Sequence, residues 1–288
     1  MIYFSADDYG LCESTSSHIR QCIEAGALNK VSVFPNFDKV DLTAISKNEK
    51  TRLSLHLNLV EGKCLSPAKE IPHLADENGN FIHTFTSLFR LWLTDGKKLE
   101  KELYKEIRAQ VLYWISILPE NTPFCIDAHQ HTHMIPAVFS AMLKVLKDEG
   151  ITPEYIRIPA EPLSPYLKAP SLYFTYSPVN IIKQWLLKFL WLINKGKAKK
   201  ADIKTSLFAG ILFSGKMDKE RVSKVLPSYI KLAGKCKTDI EVLFHPGYLD
   251  GTMPDFKAKN IVFKDFYLSE NRKTEFDSVM TIPERSVK

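Results

Sequence analysis

The sequence predicts an α/β fold built as a parallel β/α barrel, with a doubly wound open sheet as the alternative. Three observations lead there. Short strand-like runs alternate with longer helical ones, which is the pattern of parallel β/α units. At 288 residues the chain has the length of a single α/β barrel. No internal repeat or low-complexity linker divides it, so one catalytic domain over 1–288 is expected.

The elements follow in order. Residues 2–6 read as a first strand. Residues 14–25 read as a helix that opens on Ser or Thr and stops at Gly26. Residues 31–34 form a second short strand before Pro35. In 53–59 the leucines at 53, 55, 57 and 59 take one strand face, and Ser54, His56 and Asn58 take the other. A loop-rich stretch from Gly62 to about His83 precedes a helix at 97–117, where Leu99, Leu103, Ile107 and Val111 recur every four residues. Phe124, Cys125 and Ile126 lead a strand into Asp127-Ala128-His129-Gln130-His131-Thr132-His133. A helix at 137–149 ends at Gly150, and strands are expected at 155–158 and 240–245. The tail from Gly251 lacks periodicity, and its last dozen residues read as loosely attached.

Composition bounds the function class. The chain is 45% hydrophobic and 25% charged, as in ordinary soluble globular proteins, and its formal net charge of +6 is a modest excess. Five scattered cysteines with no CxxC pair argue against a disulfide framework and a thiolate zinc site, and fit a reducing cytoplasm. The opening Ile2-Tyr3-Phe4 predicts no signal peptide. No phosphate loop, no GxGxxG after a strand and no GxSxG occurs. The lysines come without a recognition motif, so no nucleic-acid partner is expected.

The polar residues fall at strand ends, and in a parallel barrel these ends meet at one face. Adjacent Asp7 and Asp8 repel each other unless a cation or a shared proton relieves them; a solvated turn is the plain alternative. His56 looks away from the leucine face, as a ligand or as a hydrogen-bonded interior histidine. Asp127 and His129 share a strand face, and Asp127 suits the role of an acceptor that orients an imidazole. His131 and His133 lie past the strand end, where a substrate contact or an ordinary hydrogen bond is open to each. Arg157 sits in the next strand. Glu61 reads as a pocket-mouth residue or as an exposed loop acid. Glu241 and His245 point the same way, and His245 is placed to protonate a leaving group. One aspartate and two histidines with an open position is the usual set for a catalytic metal.

Five segments in order carry a resemblance: Ser5-Ala6-Asp7-Asp8-Tyr9-Gly10, His56-Leu57-Asn58-Leu59-Val60-Glu61-Gly62, Asp127 through Met134, Ile156-Arg157-Ile158-Pro159 and His245-Pro246-Gly247. Together they resemble the YdjC-like carbohydrate deacetylases, the family that includes chitooligosaccharide deacetylase. The resemblance implies a TIM-like barrel, irregular or seven-stranded, and one divalent metal, zinc or magnesium, with manganese or cobalt also compatible. It implies Asp8, His56 and His129 as metal ligands, Asp7 as general base and His245 as general acid. Glu61, His131, His133 and Arg157 are then expected to touch substrate. Departures at Ser5, Tyr9 and Ala128, where the family has Asn, Phe and Ser, remove no proposed ligand. Ser5 does remove any hydrogen bond an Asn side chain would make there. The implied reaction removes acetate from an N-acetylated amino sugar. A glycolipid or lipid-linked sugar, a phosphoesterase or amidohydrolase reaction, and a non-enzymatic sugar-binding role are the alternatives.

One segment stands outside this scheme. Residues 181–193 are apolar except for Lys183, Gln184 and Lys188, and Lys195, Lys197, Lys199, Lys200 and Lys204 follow. The run is too short to span a bilayer. It reads either as an interfacial helix carrying Trp185 and Trp191, placing the protein at the inner membrane face, or as a barrel helix with a solvated lysine tail. A homodimer is also left open.

Overall fold

The computed structural model describes residues 1–37, 40–46, 50–251 and 253–282. Six strands form one parallel sheet: β1 (Ile2–Tyr9), β2 (Lys30–Val33), β3 (Arg52–Leu57), β4 (Phe124–Ala128), β5 (Leu207–Ala209) and β6 (Ile240–Phe244). Their order is β4-β3-β2-β1-β6-β5, so the first strand is central. The described helices are α1 (Glu13–Glu24), α2 (Thr43–Ser46), α3 (Phe85–Ile117), α4 (Pro136–Asp148), α5 (Ser164–Leu167), α6 (Pro178–Lys200), α7 (Lys219–Cys236), α8 (Lys264–Tyr267) and α9 (Asn271–Thr281).

The parallel β/α plan is the expected one, but closure is not. Among the described residues β4 and β5 are edges, and the sheet is an open, curled half-barrel instead of a closed one. The reason lies at 155–158, where a strand was expected. Ile156 makes a single parallel bridge to Ile126, with main-chain bonds Glu154→Phe124, Ile126→Tyr155 and Arg157→Ile126. On its other side this segment makes one such bond, from Ile156 to the Lys204 carbonyl. Pro159 follows at once and supplies no donor to continue the ladder.

The core explains the strand patterns. Leu53, Leu55 and Leu57 of β3 are buried with Leu99, Leu103, Ile107 and Val111 of α3 in one large apolar cluster. The other face of the curled sheet is buried too, but lined by polar groups: Ser32, Ser54, His56, Asp127 and Glu241 are all sealed from solvent. The α3 helix starts earlier than its leucine spacing suggests. Thr84 and Ser87 form a reciprocal cap, and Asp95 interrupts the helix with φ −146° just before the predicted start. Several elements were not anticipated, α7 and β5 among them. The α7 helix buries Val222, Val225, Tyr229 and Ala233 at helical spacing, although Pro227 interrupts the sequence pattern. β5 has only three residues, too few for an alternation to register. Residues 251 onward carry α8 and α9, in which Tyr267, Arg272, Glu275 and Val279 are buried. The last residues of the expected loose tail, 283–288, lie outside the described ones.

Candidate active site

Asp7 and Asp8 are neighbours in β1, and successive strand side chains point to opposite faces. Both nevertheless reach one site. The register of β1 against β2 slips between Ala6 and Tyr9, and Asp8 takes φ 73°. Such a bulge re-aims a side chain, at a cost of about 1–3 kcal/mol for a left-handed non-glycine residue. As a result Asp8 Oδ1 comes within 3.6 Å of His56 Nε2 and 3.4 Å of His129 Nδ1. Asp7 Oδ2 lies 4.0 Å from His56 Nε2. His56 reaches the centre from β3, and His129 from the turn directly after β4.

Asp8 Oδ1 and His56 Nε2 are buried and have no hydrogen-bond partner. Orphaned polar atoms of this kind cost about 1–3 kcal/mol each unless something fills the gap between them. The ligand atoms of Asp8, His56 and His129 all lie within 4.8 Å of one another. A carboxylate oxygen and two imidazole nitrogens suit a divalent cation. Each imidazole has a carboxylate behind it. His56 Nδ1 donates to Asp127 Oδ1 at 2.5 Å, and His129 Nε2 donates to Glu61 Oε2 at 2.9 Å. An ionised carboxylate only accepts, so it holds the proton on the outer nitrogen and leaves the inner lone pair facing the centre.

The charge balance is consistent with a cation there. Burial works to raise the Asp8 pKa, but His129 and His56 outweigh it and hold the carboxyl far below its usual range. Burial also opposes a charged His129, yet the nearby carboxylates of Asp8 and of Glu61, which accepts from Nε2, raise its pKa to about 10. A cation entering the site therefore competes with a proton on His129.

Asp7, His56 and Asp127 form a second group within ligand distance. Its carboxylates are already engaged. Arg157 donates to both oxygens of Asp7 at 2.8 Å. Asp127 Oδ2 accepts from Ser32 and Ser54 at 2.7 Å and from Lys30 at 3.1 Å. Lys30 Nζ and Arg157 Nε each donate to Glu241 Oε1 at 2.8 Å. Two buried cations thus tie three buried carboxylates together, and the group of Asp8, His56 and His129 is left as the one with free lone pairs.

Four residues were expected to touch substrate, and the structure separates them. Glu61 is sealed from solvent, where its oxygens accept from the Val262 and Phe263 amides, from Tyr267 and from His129. Arg157 is equally sealed and works by gripping Asp7. His133 is sealed as well. Its Nε2 donates to the Arg157 carbonyl at 2.7 Å, and burial lowers its pKa to about 4. In the structure these three side chains are held by the protein groups named above, as are the equally buried Asp7 and His56. His131 is only half-buried, at the second of two left-handed residues, Gln130 and His131. Burial, followed by the Arg157 charge, pushes its pKa well down, and a neutral imidazole results.

His245 follows β6 at the same sheet end. Its amide donates to Glu275 Oε2 at 2.6 Å, while its Nδ1 stands 3.7 Å from that oxygen and makes no hydrogen bond. Phe266 packs edge-on against the ring, with centroids 5.2 Å apart.

The YdjC-like protein family matches residues 1–283. The chain belongs to the YdjC-like family. Among its relatives, a carbohydrate deacetylase of Danio rerio is 34% identical over 159 residues, 55% of this chain and 49% of that protein. The carbohydrate deacetylase of Homo sapiens is 26% identical over 253 residues, 85% of this chain and 74% of that protein. The chain thus spans about half the length of the Danio rerio relative and of the Mus musculus one. A crystal structure of an Enterococcus faecalis V583 protein named for cellobiose-phosphate cleavage shares the fold, with TM-score 0.63 at 16% identity over 97% of this chain and 90% of that one.

Family membership accounts for the motif order, but several supports lie outside the motifs. Lys30, Ser32, Tyr267 and Glu275 have no place in the five segments. Lys30 offered a signal, since a lysine opening an apolar strand must either leave it or find buried acids. Tyr267 and Glu275 offered none, because they enter from an aperiodic tail.

Proposed function

We propose that the protein is a metal-dependent carbohydrate deacetylase that hydrolyses the N-acetyl group of an N-acetylated amino sugar and releases acetate. The observation that carries this reading is the convergence of Asp8 Oδ1 and His56 Nε2, both buried without a hydrogen bond, on His129 Nδ1 beside Asp7. The names of the relatives support acetylated carbohydrate as the substrate class.

Asp8, His56 and His129 would hold the metal. Bound there, a divalent ion supplies Lewis acidity, polarising an acyl oxygen and making a nearby water more acidic. The remaining steps belong to side chains. Asp7 accepts the proton of the attacking water, and the paired Arg157 donors hold its carboxylate in one orientation. His245 passes a proton to the departing sugar amine, so that a neutral amine leaves instead of an anion. Half-buried His131 is the contact offered to the substrate.

The test joins metal content to acetate release. Protein stripped by chelator should lose turnover of N-acetylated oligosaccharides and regain it with zinc, magnesium, manganese or cobalt. His56→Ala and His129→Ala should lose both bound metal, read by elemental analysis, and acetate release. Turnover that persists in both variants overturns the metal assignment. Metal binding without acetate release from any N-acetylated sugar overturns the substrate class.

A further inference from the structure

Helix α6 was expected either to pack as a barrel helix or to lie in an interface; in the structure one face packs inward and the other is exposed. Asn180, Gln184, Leu187, Leu190, Asn194 and Ala198 are buried at three- and four-residue spacing, which makes one inward stripe. Gln184 belongs to that stripe and donates to the Glu161 carbonyl, so it does not join Lys183 and Lys188 in an outer polar row. Trp191 also packs against the core. The opposite side of the helix is apolar and bare. Ile182 is 67% exposed, Trp185 59%, Phe189 55% and Leu192 55%. Their spacing of three, four and three sets them in one row on the side facing away from the core.

Large side chains left in water along three turns mark an interaction surface. Charge identifies the partner. Lys183, Lys188, Lys195, Lys197, Lys199, Lys200 and Lys204 fall within 178–204, against Asp202 alone. In a symmetric contact through α6, a second copy of the chain would bring the same lysines and only Asp202 to meet them. A surface with an apolar interior and anionic headgroups answers both halves of the helix. We propose that the outer row of α6 docks on an anionic lipid bilayer surface, with the row inserted at the headgroup boundary and the lysines on lipid phosphates. No described helix is long and apolar enough to cross a membrane, so the contact is a peripheral one.

The site is oriented accordingly. Asn180 Nδ2, near the start of α6, donates to the Leu212 and Ser214 carbonyls just beyond the carboxyl end of β5. That is the sheet end that carries Asp7, Asp8 and His245. Docking through Ile182 and Trp185 would hold this end of the sheet near the lipid. The proposal stands on the surface of α6 and is independent of the reaction proposed above.

Vesicle sedimentation tests it. The intact protein should pellet with equimolar phosphatidylglycerol and phosphatidylcholine at low salt, and stay in solution with phosphatidylcholine alone. Neutralising Lys195, Lys199 and Lys200 to Gln should weaken binding about fivefold per lysine, roughly 100-fold together. Trp185→Ser with Phe189→Ser should also release the protein, while circular dichroism stays unchanged because both side chains are exposed. No pelleting with anionic vesicles overturns the proposal, as does pelleting that survives both sets of changes. A concentration-dependent dimer that the serine pair dissolves, seen by light scattering without lipid binding, assigns the row to a second copy and overturns it too.

Discussion

Exchanging Glu61 for Gln asks whether the carboxylate behind His129 sets the metal affinity. Glu61 accepts four hydrogen bonds: from Val262 N at 2.6 Å, Phe263 N at 2.7 Å, and Tyr267 and His129 at 2.9 Å. The replacing amide has one oxygen for these four donors. The orientation with least conflict turns that oxygen toward the two backbone amides, which have no alternative. The new NH₂ then faces Tyr267, whose hydroxyl can accept, and His129 Nε2. His129 meets a donor and must move its proton to Nδ1, which aims it at Asp8. The carboxylate charge is lost from all four contacts, and the His129 bond, worth about 1.5–3 kcal/mol while charge-assisted, is lost outright. Loss of a carboxylate behind a metal-bound histidine typically weakens metal binding about 10–100-fold, or roughly 1.4–2.7 kcal/mol. Calorimetric titration of zinc into chelator-stripped wild type and E61Q measures this directly. Tyr267→Phe serves as control, because it removes one donor and leaves the carboxylate. If E61Q stays folded and binds zinc within about twofold of wild type, the proton on His129 is not held by Glu61 and the reasoning fails.

Other consequences follow from the same geometry. Asp8→Asn should keep the fold, since Asn also tolerates the left-handed backbone at φ 73°. It should lower metal affinity by more than about 100-fold, beyond the range of an outer partner, and equilibrium dialysis would expose a smaller effect. Acid should unfold the protein through its interior. Burial alone would raise the pKa values of Asp127 and Glu241, but Arg157 and Lys30 hold both below their ordinary values. Their stabilisation is thus present above about pH 4, where the unfolded carboxylates are also ionised, and is lost as pH falls through the lower folded values. Urea midpoints should drop steeply below about pH 4, more gently in Lys30→Met, where part of the pairing is already absent; a level profile from about pH 4 to about pH 3 would contradict this. Gly247→Ala would place a Cβ 2.3 Å from Thr15 Cγ2, so α1 or the His245 loop must shift. A loss of about 1–3 kcal/mol in unfolding free energy, with reduced turnover, is expected, and an unchanged variant would show that this loop yields freely.

Much of the fold is legible because its signals are local. Alternating leucines in β3 announce a strand with two unlike faces, and the spacing of Leu99 to Val111 announces the second part of α3. The same locality hides what fails. A three-residue β5 cannot show a period, Pro227 masks α7, and Pro159 cuts short the strand expected at 155–158, which leaves the sheet open. The proposed ligands stood out because Asp8, His56 and His129 are odd residues at strand ends. Their supports did not, since Glu61 reads as an ordinary loop acid until Val262, Phe263 and Tyr267 arrive from two hundred residues away.

The sequence by itself determined the parallel β/α plan and the family, and it singled out the candidate site residues, because periodicity and residue type are written along the chain. Tertiary structure decided which of those residues have free lone pairs. It turned Asp8 beside Asp7 through a bulge, spent Arg157 and Lys30 on neutralising buried acids, and gave Glu61 and His133 hydrogen-bond partners inside the protein. It also decided that the apolar run of α6 shows one face to the core and another to solvent. These are matters of who neutralises and encloses whom, and in a low-dielectric interior that depends on distances that chain order does not contain.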